Sequence, residues 1–170
     1  MFILVTGASG QLGKSIESLV KKDNINHSFV FVTREQLDLS SLSNIHSYFK
    51  THKFDLIINC AAYTAVDKAE HDREKANMIN HLAVKQVAEI AKSNNIKLIH
   101  ISTDFVFDGL KHQTYSESDT TSPINIYGKT KLAGENAILS IMKFDAIIIR
   151  TSWLYSEYGN NFVATILKLA

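Results

Sequence analysis

The chain has 170 residues, 45% hydrophobic and 21% charged, with a net charge of +1 from 18 basic and 17 acidic side chains. That length suits one domain burying about 70% of its unfolded surface, and its interspersed charges leave no basic stripe for nucleic acid or an anionic membrane. No apolar run nears the ~18 residues of a membrane span or forms a signal-peptide core, so a cytoplasmic protein is expected, and one cysteine, Cys60, cannot make an internal disulfide.

The elements follow in chain order. Phe2-Ile3-Leu4-Val5 reads as a buried strand, Gly7, Gly10 and Gly13 as a turn, and Lys14 to Val20 as a helix. This is a dinucleotide-binding βα unit, in which glycines let backbone N–H groups approach a diphosphate at a helix N-terminus. The G-x-x-G-x-x-G spacing is similar to that of the short-chain dehydrogenase/reductase superfamily. A second strand, Phe29 to Val32, leads to Thr33-Arg34. An NAD-specific protein would place a carboxylate here; Arg34 instead meets a 2′-phosphate, favouring NADPH over NADH, or is simply solvated. Asp38 and Leu39 touch an adenine, or the carboxylate caps the short helix that Ser41 to Ser43 begin.

A third strand, Asp55 to Asn59, ends at Cys60, a small buried hydrophobe rather than a nucleophile. The small residues Ala61 and Ala62 after it allow close approach of a nicotinamide ribose, or tight helix packing. A helix over Lys75 to Lys92 puts Ala76, Ile79, Ala83, Val87, Ile90 and Ala91 on one face. Lys97 to Ile101 forms the fourth strand, with His100 inside it and Ser102 and Thr103 at its end. The other histidines read as surface residues, with no metal-ligand spacing. An irregular stretch, Phe107 to Ile126, is long enough to be functional, and a helix opening at Tyr127 leads to a fifth strand, Ala146 to Arg150. Strands alternating with helices imply an α/β fold: a doubly wound, Rossmann-like parallel sheet of about five strands with helices on both faces. The expected strand order is 3-2-1-4-5, with a cofactor between strands 1 and 4.

Tyr127 and Lys131 stand four residues apart, on one face of a helix. A cation about 4 Å from a phenolate is worth up to ~4 kcal/mol at an effective dielectric of about 20, enough to draw a phenol from its usual pKa near ~10 toward neutrality. The pair is thus expected to exchange a proton with a substrate, although the same spacing also arises on solvated helix surfaces. Ser102 and Thr103 lie at the carboxyl edge of the sheet, where such folds bind ligands, and either donate to a carbonyl oxygen or cap a turn.

The stretches TGASGQLG, NCAAYTAVDKAE, ISTDFVFDG, YGKTKLAGE and IIRTSW, with Tyr115-x-Glu117 and Ser122-Pro123-x-Asn125-x-Tyr127, closely resemble the dTDP-4-dehydrorhamnose reductases over essentially the whole chain. The resemblance implies NADPH- or NADH-dependent reduction of a dTDP-4-keto sugar. It gives Thr103 the ketone, Tyr127 the proton, and Lys131 the nicotinamide ribose. Gly10, Gln11, Leu12, Asp38, Leu39, Ala61, Ala62 and Tyr63 would line the cofactor, with Asp104 and Trp153 against the sugar nucleotide. Phe105 departs from the family's frequent tyrosine and removes a hydroxyl from the substrate side. Family members are longer, so residues 1–170 are expected to be the cofactor domain without the C-terminal substrate domain. A homodimer stays compatible with the sequence, as do two other readings: an epimerase or dehydratase of the same superfamily, and a non-catalytic NAD(P)-binding regulatory module.

Overall fold

The structure is a computed structural model that describes residues 1–23, 25–159 and 161–169. Five strands, β1 (Phe2–Thr6), β2 (Ser28–Val32), β3 (Leu56–Asn59), β4 (Lys97–Thr103) and β5 (Ala146–Thr151), form one parallel sheet in the order β2-β1-β3-β4-β5. The expected order is therefore corrected. β3 lies beside β1, with Ile3 opposite Leu56 and Thr6 opposite Asn59, and the strand order reverses between β1 and β3 rather than between strands 1 and 4. Both orders satisfy the same crossover rule, so an alternating strand–helix pattern does not choose between them. Burial decides it: Ile57 is fully buried and Asn59 1% exposed, as an inner strand requires, while Ser28 and Phe29 leave β2 at the edge.

Helices α1 (Gln11–Lys22), α2 (Leu42–Thr51), α3 (Val66–Ala69), α4 (Arg73–Asn77), α5 (Ala83–Ser93), α6 (Ile126–Met142) and α7 (Phe162–Leu169) fill the crossovers and the end of the chain. Ser41 caps α2, its hydroxyl accepting from the Asn44 N–H at 3.3 Å. The helix expected over Lys75 to Lys92 is real but not uniform. Between α4 and α5, Met78–Leu82 winds as a π-helical turn, the kind of insertion found at functional sites.

The main core lies on one face, where Leu4, Val32, Ile57 and Leu98 of the sheet pack against Ile45 and Phe49 of α2, Val84 and Val87 of α5, and Ile138 and Met142 of α6. Burying such side chains contributes about 1.5 to 3 kcal/mol each. Alternate residues turn to the other face, where Ile3 and Val5 of β1 are buried, while Ile147 and Ile149 of β5 remain 59% and 42% exposed. Among the described residues, edge strand β5 is therefore covered on one side only.

Candidate active site

The carboxyl edge of the sheet opens into a cleft of about 820 Å³ that runs from the glycine turn past β3 to the ends of β4 and β5. Gly7 has φ of +68°, and a Cβ there would press on the backbone of Cys60 and Ala61. A Cβ on Gly13 would overlap the Gly7 carbonyl oxygen. The turn can thus lie flat against the end of β3 only because Gly7 lacks a side chain, and α1 can pack onto the turn only because Gly13 does. Gly10 is the N-cap of α1, with no side-chain cap and no acidic residue in the first turn, which leaves the first backbone N–H groups to the cleft.

Beyond β2, Arg34 contacts Asp38 at 3.3 Å, and Asp38 also accepts from the Ser40 N–H and hydroxyl at 2.9 and 2.7 Å. The Ser40 hydrogen bonds and the Arg34 charge hold the Asp38 carboxyl below its ordinary range. The cap of α2 is Ser41, so of the two roles open to Asp38 the structure removes that one. Past β3, Tyr63 is fixed from both sides by Asn80 of the π-helical turn, which accepts from the Tyr63 N–H at 2.9 Å and donates to its carbonyl at 3.1 Å. Asn80 also reaches Thr130 of α6 at 3.2 Å, joining the cleft floor to that helix. Cys60 is half-buried, and burial pushes its thiol up to about 12, which leaves it inert at neutral pH.

Helix α6 brings the remaining groups. Asn125 caps it by accepting from Gly128 N–H at 2.7 Å, and Glu70 accepts from Ile126 N–H at 2.8 Å. These two contacts aim its first turn, and Tyr127 with it, at the end of β4. Burial raises the Tyr127 phenol above its ordinary pKa, a hydrogen bond with Thr103 opposes this, and the Asp104 charge adds to it. This corrects the expected depression by Lys131. The Lys131 ammonium is turned to the Ile101 carbonyl at 2.7 Å and His100 at 3.3 Å, and burial brings Lys131 down to about 8. Phe105 packs edge-on against Tyr127 with centroids 5.6 Å apart.

All the site residues named from sequence line this one cleft: Gly7, Gly10, Gln11, Leu12, Gly13, Arg34, Asp38, Leu39, Ala61, Ala62, Tyr63, Thr103, Asp104, Tyr127, Lys131 and Trp153. Trp153 is 73% exposed on the rim with φ of +51°, a conformation that costs a bulky residue energy and concentrates at ligand sites. Sequence reasoning misses the support beneath. Glu135, 1% exposed, takes a bidentate contact from Arg150 of β5, with Nη2 at 2.7 Å and Nε at 3.1 Å. The Arg150 guanidinium also covers the Phe107 ring at 5.0 Å. The available signal was the i, i+4, i+8 spacing of Tyr127, Lys131 and Glu135. Among the described residues, no group of three or more His, Cys, Asp or Glu is placed to hold a metal ion, and no helix is long and apolar enough to cross a membrane.

A glycine turn at the strand-order reversal, with a Tyr-x-x-x-Lys helix facing it across the cleft, defines a Rossmann-like domain of the short-chain dehydrogenase/reductase class. Within that class the chain belongs to the family described as RmlD substrate binding domain, which matches residues 1–170. The dTDP-4-dehydrorhamnose reductase of Aggregatibacter actinomycetemcomitans is 42% identical over 168 residues, 99% of this chain and 56% of that protein. A crystal structure of a dTDP-4-dehydrorhamnose reductase from Clostridium acetobutylicum superposes with a TM-score of 0.93 at 40% identity, covering 99% of this chain and 59% of the other. The Bacillus anthracis reductase in complex with NADP gives 0.91 at 38%, over 99% and 59%. The chain thus spans a little over half the length of these relatives.

Proposed function

We propose that the protein reduces the C4 ketone of dTDP-4-dehydro-L-rhamnose to give dTDP-L-rhamnose, using NADPH or NADH. The observation that carries this reading is that Thr103, Tyr127 and Lys131 all line the cleft that the glycine turn opens, with Tyr127 and Lys131 one turn apart on α6. The identity with reductases of this name, and the NADP held by the Bacillus anthracis protein, support it.

The residues present fit a dinucleotide. The uncapped first turn of α1 suits a diphosphate, so Gly7, Gly10, Gln11, Leu12 and Gly13 would hold it. Ser102 Oγ, buried at the cleft, has no partner among the described residues and is ready for one from a ligand. Arg34 supplies a cation for a 2′-phosphate, with Asp38 and Leu39 at the adenosine end, and Ala61, Ala62 and Tyr63 along the nicotinamide side. A bound reduced nicotinamide supplies the hydride. The Thr103 hydroxyl donates to the ketone oxygen and polarises the C4 carbonyl. Tyr127, kept protonated by its burial, gives its proton to that oxygen, so hydride at C4 and proton at O4 complete the alcohol. The phenolate left behind is reprotonated from solvent through the open cleft, and Lys131 would hold the nicotinamide ribose. Asp104 and Trp153 flank the entrance on the sugar-nucleotide side.

Tyr127→Phe is the direct test. Turnover, read as loss of NADPH absorbance with the dTDP-4-keto sugar, should fall by about 100-fold or more, with NADPH affinity nearly unchanged. Undiminished turnover removes the proton-donor role. Sugar conversion without net NADPH consumption would assign the chain to the epimerases or dehydratases instead.

A further inference from the structure

Beneath the cleft floor, three buried polar groups that the proposed reaction does not use, Thr6, Asn59 and His100, form a line that ends at Lys131. The Ala61 N–H donates to Thr6 Oγ1 at 3.3 Å, Thr6 Oγ1 donates to Asn59 Oδ1 at 2.6 Å, and Asn59 Nδ2 lies 3.0 Å from His100 Nδ1. His100 Nε2 then faces Lys131 Nζ at 3.3 Å, and Nζ donates to the Ile101 carbonyl at 2.7 Å. Thr6, Asn59, His100 and Lys131 are 3%, 1%, 0% and 1% exposed. Groups so deep have no water to turn to, so their donors and acceptors must agree along the whole line.

That agreement has a direction. The Ala61 N–H can only donate, so the Thr6 hydrogen is free to go to Asn59 Oδ1, and the Asn59 NH₂ must then donate to His100 Nδ1. A neutral His100 therefore carries its proton on Nε2 and points it at Lys131. An ammonium has no lone pair to accept it; an amine has. The line is consistent in this direction only when Nζ is an amine. When Nζ is an ammonium, Nε2 must accept, the proton must sit on Nδ1, and Asn59 must present its carbonyl oxygen to His100.

We propose that His100 is a positioning residue for Lys131, and that the Thr6–Asn59–His100 line reverses its hydrogen bonds whenever Lys131 passes between amine and ammonium. The two states differ by one proton. The ammonium state holds it on Nζ with imidazole N–H at Nδ1; the amine state has released it, with imidazole N–H at Nε2. The reversed line is the less satisfied one, because Thr6 then accepts from both Ala61 and Asn59 and its own hydrogen has no partner among the described contacts. Thr6 thus biases the lysine toward the amine from two strands away, in the same sense as burial. His100 stays neutral in both states, since burial and the Lys131 charge disfavour an imidazolium. The other titratable groups around the pair are Tyr127 and Glu135 on α6, Arg150 of β5 joined to Glu135, Asp104 past β4 and the Cys60 thiol past β3. Glu135 is the one that favours the ammonium. The inference rests on the proposed reaction only for its effect on turnover; the linkage belongs to the folded chain itself.

The test is NMR of the ¹⁵N-labelled protein, following the His100 ring nitrogens and the Lys131 Nζ from pH 6 to 10. His100 is expected to change from the Nδ1–H to the Nε2–H tautomer with the same midpoint as Nζ. Thr6→Val should raise that midpoint, with about a tenfold change in acid constant, and Thr6→Ser should restore it. A His100 tautomer that stays fixed while Lys131 titrates, an imidazolium at His100 above pH 6, or a Thr6→Val midpoint equal to wild type would overturn the proposal. A tautomer change in a protein without sugar reductase activity would leave this linkage intact and defeat only the proposed reaction; an active reductase with a fixed tautomer would do the reverse.

Discussion

The two walls of the cleft are built in opposite ways. On the glycine-turn side the cleft is lined by an uncapped helix start and its backbone N–H groups, and the side chains that matter to its shape are the ones missing at Gly7 and Gly13. On the α6 side they are side chains, several in places that normally hold leucine or valine: Lys131 and Glu135 are each 1% exposed. A backbone wall is specified by the lack of a Cβ and tolerates no growth. A side-chain wall is specified by partners, and tolerates change only if both members of a pair change together.

Substitutions that attack each wall by its own logic sharpen this contrast. The largest expected effect is on the α6 side. Arg150→Met would leave the Glu135 carboxylate buried and unpaired, costing about 3 to 5 kcal/mol of stability in denaturant unfolding. Adding Glu135→Met should recover most of it, and a double variant as unstable as the single would break the comparison. Gly13→Ala comes next. Its Cβ meets the Gly7 carbonyl and the Ala8 Cα, so the turn must lift off α1 at a cost of about 1 to 3 kcal/mol, with a matching loss of NADPH affinity in calorimetry. Full affinity would show that the turn is not packed as tightly as these contacts require.

A smaller effect separates charge from packing at Lys131. Its folded value of about 8 lies below the ordinary lysine value of ~10.4, so the unfolded chain binds the proton more tightly. The ammonium therefore lowers stability, fully below pH 8, and the loss disappears as pH rises toward ~10.4. Relative to Lys131→Met, the wild type should gain about 2 kcal/mol between pH 8 and 10. Measuring against that variant cancels the opposing ionisation of Cys60, and a pH-independent difference would mean that Nζ is solvated.

The glycine wall was legible in advance because its signal is local. Three glycines at fixed spacing behind an apolar strand read the same in any context, and Gly10 heads α1 as that spacing requires. The α6 wall was legible only at its tip. Tyr127 and Lys131 follow from their four-residue spacing, but of the apolar positions that continue the helix, Leu132, Ala133, Ala137 and Ile138, only Ile138 is buried and the other three are half-buried. The deep face instead carries Tyr127, Lys131, Glu135, Ile138 and Met142. Hydrophobic periodicity fails on a helix whose buried face is polar, since the charges there are paired by residues 15 and 31 positions away.

By itself, then, the order of apolar strands, the turn glycines and the Tyr–Lys spacing determined a parallel α/β sheet and the side of it on which the cleft opens. These are properties of short segments and of the handedness of crossovers. Tertiary structure alone decided that β3 returns to the far side of β1, that burial raises Tyr127 rather than letting Lys131 lower it, and that His100 and Asn59 lie beneath the lysine. Each of those depends on which buried groups meet across the sheet, and the energy of a buried polar group is set by its partner, not by its neighbours in the chain.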